Sequence, residues 1–296
     1  MVAAKPAIGT PPPVLIVNGF DRLDRYQDQT ISANGGTADR VRLRYNNTRD
    51  YVYQFGDAIV AYNPALRFDT VQNEDIISGA VNLSNYQAVL WISGDESVAD
   101  HSFDATEQAK ITAYINGGGK FFASGAEIGY DLVYAGNGAS FFNSTLHAGY
   151  AQDDANTYTT GGISGSIFAG LSNIVFDNGS NEGMSGTYDV AYPDVLTTSA
   201  GSTAALSYSG GTGGTAAVQW SSGNSKVVTM GFPFETITSS ANRNAVMAAV
   251  LNYVGTGTPD PSATPGTPVL LAATDSGKSS SDDKTNFNNS SSAKAL

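Results

Sequence analysis

The sequence predicts an α/β fold, a three-layer sandwich around a mainly parallel, flavodoxin-like sheet with a β-rich extension. Short, continuous apolar runs such as residues 14–17 are typical of buried parallel strands. Two of these runs, residues 86–92 and 120–123, enclose a segment with helical spacing and so predict a βαβ unit of ~35 residues. Residues 133–225 indicate the extension, because short β-prone runs there alternate with glycine-rich turn signals.

The first strand, residues 14–17, follows a flexible lead over residues 1–13 that ends in three prolines. It runs into a polar loop that contains Asp21. This loop lies at the carboxyl end of the strand, where α/β sheets place their ligands. The pattern then predicts, in order, a loop over 31–47, a helix over 50–62, an edge strand over 68–71 and a short helix from residue 73.

The second strand, residues 86–92, runs directly into the polar loop that begins Ser93-Gly94. After this loop a helix is predicted over residues 105–116. Asp104 and Glu107 have the spacing of a capping box at its start, and Gly117 ends it.

The third strand, residues 120–123, breaks through Ser124 into the pattern Gly125-x-Glu127-x-Gly129 and then into another helix. Such a strand–turn–helix junction places one side chain at the tip of the turn. The glycines permit a close approach of strand and helix, and the N–H groups of the helix N-terminus favour an anion there. Glu127 is therefore a candidate site residue, and the alternative is that it only caps the helix.

The chain is predicted to close with a core strand over 227–232 and an amphipathic helix over 240–254. Residues 14–255 would then form one domain. Composition changes to a Pro/Gly/Thr linker over 256–268. Residues 269–296 are similar to the first strand of bacterial Ig-like repeats, and they are interpreted as an incomplete repeat start or a disordered tail.

The composition restricts the classes of function. Charged residues make up 14% of the chain, against about 25% in an ordinary globular protein, and the net charge is −12. An acidic surface repels phosphate backbones, so no nucleic-acid partner is expected. Cysteine is absent, which excludes a Cys nucleophile, and no run of 18 apolar residues predicts a membrane span. The polar, uncharged composition is typical of exported bacterial proteins, so the expected location is extracellular.

Three strand ends together resemble the class I glutamine amidotransferase-like superfamily, over about residues 13–254. They are Trp91-Ile92-Ser93-Gly94, Gly125-Ala126-Glu127-Ile128-Gly129 and Phe232-Pro233-Phe234-Glu235. The resemblance implies an oxyanion loop at the first, a nucleophile elbow at the second and a His-x-Glu pair at the third. The chain looks like a secreted, divergent member, because Glu127 replaces the nucleophilic Cys and Pro233 replaces the His. Thiolate chemistry therefore cannot be carried over.

The expected site lies at the mouth formed by these strand ends. Two routes are open. In the first, Ser124 or Ser97 attacks an acyl carbon with His101 as base. In the second, Glu127 acts as general base on water, its pKa raised by nearby carboxylates. The candidate catalytic residues are Glu127, His101, Ser124, Glu96, Asp95 and Glu235, and the candidate substrate-binding residues are Ser93, Gly94, Asp21, Gly125 and Ala126.

The expected function is a secreted hydrolase of ester or amide bonds with a small-molecule or polymeric ester substrate. The alternative is a non-catalytic module that binds glycan or cell-wall material inside a larger extracellular protein. No catalytic metal and no cofactor are expected, although the clustered carboxylates would suit a structural calcium ion. The expected partners are the substrate and further Ig-like modules, with neither a nucleic acid nor a membrane.

Overall fold

The computed structural model describes residues 13–22, 29–40, 47, 50–179 and 187–256. The predicted linker and tail lie outside the described residues except for Thr256, and so does the lead except for Pro13.

One half of the main sheet consists of five parallel strands. In spatial order they are β4 (Phe68–Gln72), β1 (Val14–Asn18), β5 (Ala88–Gly94), β6 (Lys120–Gly125) and β13 (Ser225–Met230). The sheet thus contains a strand at each of the predicted core positions, and β4 lies at its edge as expected. Since all five strands run the same way, their carboxyl ends meet at one edge of the sheet.

Helices cover both faces of this parallel half. Along β1, Val14 and Ile16 join one hydrophobic cluster, and Leu15 and Val17 join the other. The first cluster is completed by α1 (Val52–Tyr62) and α6 (Ser240–Val254), and the second by α4 (Ala105–Asn116). The short helices are α2 (Asn73–Ile77), α3 (Ser97–Asp100) and α5 (Ala139–Ser144).

The other half of the sheet is antiparallel and continues from β13 through its hairpin partner β12. Its strands are β7 (Ala148–Gln152), β8 (Thr159–Gly162), β9 (Ile174–Val175), β10 (Val195–Thr198), β11 (Thr203–Tyr208) and β12 (Thr215–Ser222). Six of the ten pairings in this sheet are antiparallel and four are parallel. The prediction of a mainly parallel, flavodoxin-like sandwich is therefore wrong. The segment expected as an extension joins the main sheet because tight turns, such as that at Gly223 (φ 57°), reverse the chain between neighbouring strands.

A separate two-stranded hairpin corrects the loop predicted over residues 31–47. It consists of β2 (Gln29–Ala33) and β3 (Gly36–Arg40). Asn34 and Gly35 form its turn with φ values of 48° and 78°. An Asn-Gly pair with left-handed backbone is the strongest short-range hairpin signal, and the polar composition obscured it.

Gly94 allows a test of the packing at the end of β5. Its φ is 50°, and a methyl group there would lie 2.2 Å from the Phe20 ring. Gly223 has a similar φ of 57° but open space around it. We expect Gly94→Ala to lower the free energy of unfolding by about 3 kcal/mol or more, through backbone strain and overpacking.

Gly223→Ala is the matched control, because it adds backbone strain without a clash and should cost about 1 kcal/mol. Urea unfolding of both variants measures the difference. Equal losses of stability would show that the approach of Phe20 to Gly94 is not tight.

Candidate functional site

The loops after β5 and β6 meet at the carboxyl edge of the sheet. The Ala126 N–H donates a hydrogen bond to the Gly94 carbonyl at 2.8 Å. Gly125 lies so close to this loop that a methyl group would come within 2.8 Å of the Ser93 Cβ and 2.9 Å of the Gly94 oxygen. Glycine at position 125 is therefore required by the contact between the two loops.

The second glycine of the elbow is required for a different reason. A methyl group on Gly129 would lie 2.7 Å from the Tyr150 ring and 3.2 Å from the Asp194 carboxylate. The Gly129 N–H donates to this carboxylate at 2.6 Å. Burial raises the pKa of Asp194 well above its usual range, and the Gly129 hydrogen bond opposes the rise.

Glu127 is at the tip of the elbow in a left-handed conformation, with φ 59°. The Ser97 hydroxyl donates a hydrogen bond to the Glu127 carboxylate, and Ser97 is itself left-handed, with φ 52°. Left-handed residues other than glycine cost of order 1 kcal/mol each and are concentrated at functional sites. The Glu127 side chain is partly exposed, so it can reach solvent or a substrate.

Asp95 lies within the electrostatic field of Glu127. Burial, followed by the charge of Glu127, raises the pKa of Asp95 well above its usual range. Burial also raises the pKa of Glu127, but the Ser97 hydroxyl and the charge of Arg22 oppose this rise. The two carboxyl groups thus differ in their environments, since a side-chain hydroxyl donates a hydrogen bond to Glu127. Such a difference separates an acid from a base.

Glu235 is a third carboxyl group near this pair and is fully buried. The Tyr188 hydroxyl donates to Glu235 Oε1 at 2.6 Å. Burial raises the pKa of Glu235 to about 7, although the Tyr188 hydrogen bond lowers it. Glu235 therefore supports the cluster from beneath rather than contacting solvent.

Glu96 points away from this cluster although it adjoins Asp95 in the chain. Its Oε2 accepts hydrogen bonds from the backbone N–H groups of Asp21 and Arg22, at 3.0 and 2.9 Å. The Arg22 guanidinium donates to the Asp95 carbonyl at 3.1 Å. The structure therefore divides the predicted site, with Asp95, Glu127 and Glu235 on one side and Asp21 and Glu96 on the other.

His101 does not form a hydrogen bond with a serine in the described part of the chain. Its Nδ1 lies 3.1 Å from Asp131 Oδ1. Ser124 is fully buried, and its Oγ accepts the Phe234 N–H at 3.3 Å. Ser93 is also fully buried. The serine route to an acyl intermediate therefore has no support, since nucleophile and base are not paired.

Tyrosine rings flank the carboxyl groups. Tyr130 and Tyr134 stack with centroids 4.9 Å apart, and Tyr134 is 71% exposed. The charges of Glu127 and Asp153 reach the Tyr130 hydroxyl, which places this pair beside the elbow. On the other side, Tyr158 lies within the fields of Asp95 and Tyr192, and Tyr192 is 53% exposed.

Two clefts at the opposite edge of the sheet are less suited to chemistry. Their volumes are about 320 and 330 Å³, and both are lined by Tyr114, Ala113 and Ser84. The titratable groups that line them are tyrosines and lysines, with Lys110 in one and Lys120 in the other. We therefore place the candidate site at the carboxylate cluster.

Sequence reasoning missed several contributors to this site, namely Arg22, Tyr130, Asp153, Tyr188 and Asp194, and it considered Ser97 only as a nucleophile. Asp194 and Tyr188 follow a polar segment and show no periodicity. Tyr130 was detectable, because the spacing Tyr130-x-x-x-Tyr134 on a helix brings two rings together.

The sequence matches no protein-family profile and no curated protein. Similar solved structures include the β-galactosidases of Rahnella sp. R3 and of Bacillus circulans sp. alkalophilus. Their identities are 15 and 12%, and each has a TM-score of 0.49. The alignments cover 86 and 88% of this chain but 33% of each enzyme, so the chain spans about a third of their length.

The cytoplasmic protein STM3548 from Salmonella typhimurium is similar over 81% of this chain and 98% of its own, with 9% identity and a TM-score of 0.51. At this identity the likeness concerns the fold alone.

The resemblance to the class I glutamine amidotransferase-like superfamily is contradicted. No family profile matches the chain, and the structure matched with a TM-score of 0.51 carries the name of a Salmonella cytoplasmic protein. The mixed sheet and the replacement of the expected Cys and His by Glu127 and Pro233 agree with this correction.

The expected hydrolysis of ester or amide bonds is also contradicted. Within the described residues, His101 Nδ1 lies beside Asp131 and no serine is hydrogen-bonded to His101, so the expected serine–histidine pair is missing.

The expectation of a secreted protein is not borne out by these matches: the two Salmonella proteins, matched over 96 and 98% of their own length, are named cytoplasmic proteins, and that location is a property of those proteins. Among the described residues, no helix combines the length and the apolarity that a bilayer span requires.

The Glu235 carboxyl group gives a pH-dependent contribution to stability. Its pKa is about 7 in the folded chain and 4.5 in the reference state. The contribution is therefore complete below about pH 4.5 and is lost as the pH rises through about 7, because ionisation of the buried group opposes folding. We expect Glu235→Gln to reduce the loss of unfolding free energy between pH 4.5 and 8 by up to about 3 kcal/mol.

Tyr188→Phe is the companion variant. It removes the hydrogen bond that lowers the pKa of Glu235, so the loss of stability should extend to higher pH. Chemical denaturation at several pH values measures both effects. A Glu235→Gln profile parallel to that of the wild type would contradict this role for Glu235.

Proposed function

We propose that the chain hydrolyses glycosidic bonds by acid–base catalysis, with Asp95 as the acid and Glu127 as the base. The observation that carries the proposal is the pair of carboxyl groups with unequal environments at the carboxyl edge of the sheet. Burial and the charge of Glu127 keep the proton on Asp95, while the Ser97 hydroxyl and Arg22 favour the ionised form of Glu127. Glycoside hydrolysis uses such a pair of carboxyl groups.

The proposed reaction balances its protons between the two groups. Glu127 takes a proton from a water molecule as the water oxygen attacks the anomeric carbon. Asp95 gives its proton to the departing glycosidic oxygen, so that both products leave as neutral hydroxyl compounds. A proton then returns from Glu127 to Asp95, directly or through water, and restores the starting state.

The flanking tyrosines support a sugar as the substrate. Sugar rings present apolar C–H faces and polar edges, so they suit sites that combine aromatic rings with a few polar groups. Tyr130 and Tyr134 offer a stacked pair of rings beside Glu127. Tyr192 is exposed and interacts with Tyr158, which in turn interacts with Asp95. The net charge of −12 favours a neutral glycan over an anionic one.

Removal of either carboxyl group tests the catalytic assignment. We expect Glu127→Gln and Asp95→Asn each to lower kcat by about 10²-fold or more, because each keeps the side-chain shape and removes a proton-transfer group. Turnover is measured on a panel of nitrophenyl glycosides and, by release of reducing ends, on polysaccharides. His101→Ala is the control for the serine route and should retain activity.

Ser97→Ala tests the assignment through the pH profile. The variant loses the hydrogen bond that lowers the pKa of Glu127, so the acidic limb of kcat against pH should move to higher pH. If no glycoside is cleaved by the wild type, glycosidic hydrolysis is wrong. If cleavage occurs and neither carboxyl variant matters, the assignment of the site is wrong.

The exposed ring of Tyr134 tests the substrate class separately from catalysis. We expect Tyr134→Ala to raise KM for the preferred glycan about 5-fold with kcat nearly unchanged, since loss of one stacking contact is worth about 1 kcal/mol. Tyr53→Ala is the matched control, because Tyr53 is 67% exposed on α1, outside the site. Equal KM values for the two variants would contradict a sugar-stacking role for Tyr134.

A further inference from the structure

A buried carboxylate from the antiparallel half of the sheet holds the far side of the elbow that carries Glu127. Asp194 directly precedes β10 and is fully buried. The backbone N–H groups of Gly129 and Tyr130 donate hydrogen bonds to its carboxylate, the first at 2.6 Å. Asp194 follows Gly129 by 65 residues in the chain, so these bonds connect the two halves of the sheet at the site.

The backbone of Asp194 is fixed in turn by the end of β13. Its N–H donates to the Gly231 carbonyl at 2.9 Å, and its carbonyl accepts a hydrogen bond from the Tyr208 hydroxyl at 2.9 Å. A methyl group on Gly231 would lie 2.4 Å from the Asp194 carbonyl oxygen, so the two segments are in close contact. A side chain that is buried and bonded in this way can serve as a fixed anchor.

Glu127 lies between two such anchor points. On one side the Ala126 N–H is bound to the Gly94 carbonyl, and on the other side the Gly129 N–H is bound to Asp194. Glu127 has a left-handed backbone with φ 59°, which costs about 1 kcal/mol for a residue other than glycine. Such a conformation persists only where the surrounding structure fixes it. Release of one anchor would therefore let the backbone of Glu127 relax.

We propose that Asp194 is a positioning residue, which holds Glu127 at the tip of the elbow through the N–H groups of Gly129 and Tyr130. The catalytic part of this inference rests on the proposed role of Glu127 as the base. Asp194 would not contact the substrate, because it is fully buried. It would keep the Glu127 carboxylate within reach of the attacking water, where an error of ~1 Å in position can cost about 10²-fold in rate.

Amide hydrogen exchange tests the anchor without reference to activity. Asp194→Asn keeps the shape of the side chain and replaces one carboxylate oxygen by an NH₂ group, which donates hydrogen bonds and does not accept them. We expect the N–H groups of Gly129 and Tyr130 to exchange at least ~10-fold faster in this variant, after correction for the change in global stability.

Thr229→Val is the matched control for the exchange experiment. It removes another buried hydrogen bond, from Thr229 Oγ1 to the Leu146 carbonyl, which involves no residue of the elbow. Exchange at Gly129 and Tyr130 should change in this variant only as much as its global stability does.

The kinetic constants test the link to catalysis. We expect Asp194→Asn to lower kcat on a cleaved glycoside about 10-fold with KM within about 2-fold of the wild type, because positioning of the base acts on the transition state and not on substrate binding. Thr229→Val should keep the wild-type kcat. Tyr208→Phe is a milder second variant, which keeps the ring and loses the hydrogen bond to the Asp194 carbonyl. It should accelerate exchange at Gly129 and lower kcat, each by less than Asp194→Asn does.

The outcomes separate this inference from the proposed reaction. Unchanged exchange at Gly129 and Tyr130 in Asp194→Asn would overturn the anchor, whether or not any glycoside is cleaved. If Asp194→Asn does not fold, unchanged exchange at Gly129 in Tyr208→Phe overturns it instead. If a glycoside is cleaved and kcat keeps the wild-type value although exchange accelerates, Asp194 does not position Glu127 for catalysis. Absence of turnover by the wild type refutes the reaction, and the exchange result still decides the anchor.

Discussion

The close contact between the loops after β5 and β6 is the constraint on which the site depends. Gly94 and Gly125 lie where any larger residue would collide, with Phe20 in one case and Ser93 in the other. This contact fixes the start of the elbow, and the elbow in turn places Glu127 in its left-handed conformation. The positions of Asp95 and Ser97 follow, since Asp95 belongs to the first of these loops and Ser97 begins α3 directly after it.

Several carboxyl groups at this edge of the sheet are buried, and their charge must be compensated. Asp95, Asp194, Glu96 and Glu235 all have pKa values raised by burial. Protons on these groups and backbone N–H donors are two ways to compensate such charge. The structure shows N–H donors of this kind at Gly129 for Asp194 and at Arg22 for Glu96.

The sequence predicted local features well and global pairing poorly. The helices over 105–116 and 240–254 have the predicted bounds, because the capping box at Asp104 and the left-handed Gly255 are local signals. The orientation of β12 against β13 depends on a tight turn. The orientation of β10 depends on its pairing with β7, which precedes it by more than forty residues.

The geometry of the site also divides into a part that local sequence predicts and a part that depends on distant residues. The tip position of Glu127 followed from its neighbours in the chain, whereas the orientation of Glu96 depends on the N–H groups of Asp21 and Arg22, which lie far away in sequence.

The position of β13 has a consequence for how the chain folds. β13 pairs with β6 from Lys120 to Ser124, yet the whole antiparallel half of the sheet lies between these two strands in the sequence. Strands β1, β4, β5 and β6 can assemble as soon as the first half of the chain is available. The pairing of β6 with β13 must close a loop of about a hundred residues, which carries a large entropic cost unless the intervening strands have already formed. During synthesis on the ribosome, the outer edge of β6 would therefore remain unpaired until the last strand emerges, and this edge is where association with another nascent chain would begin.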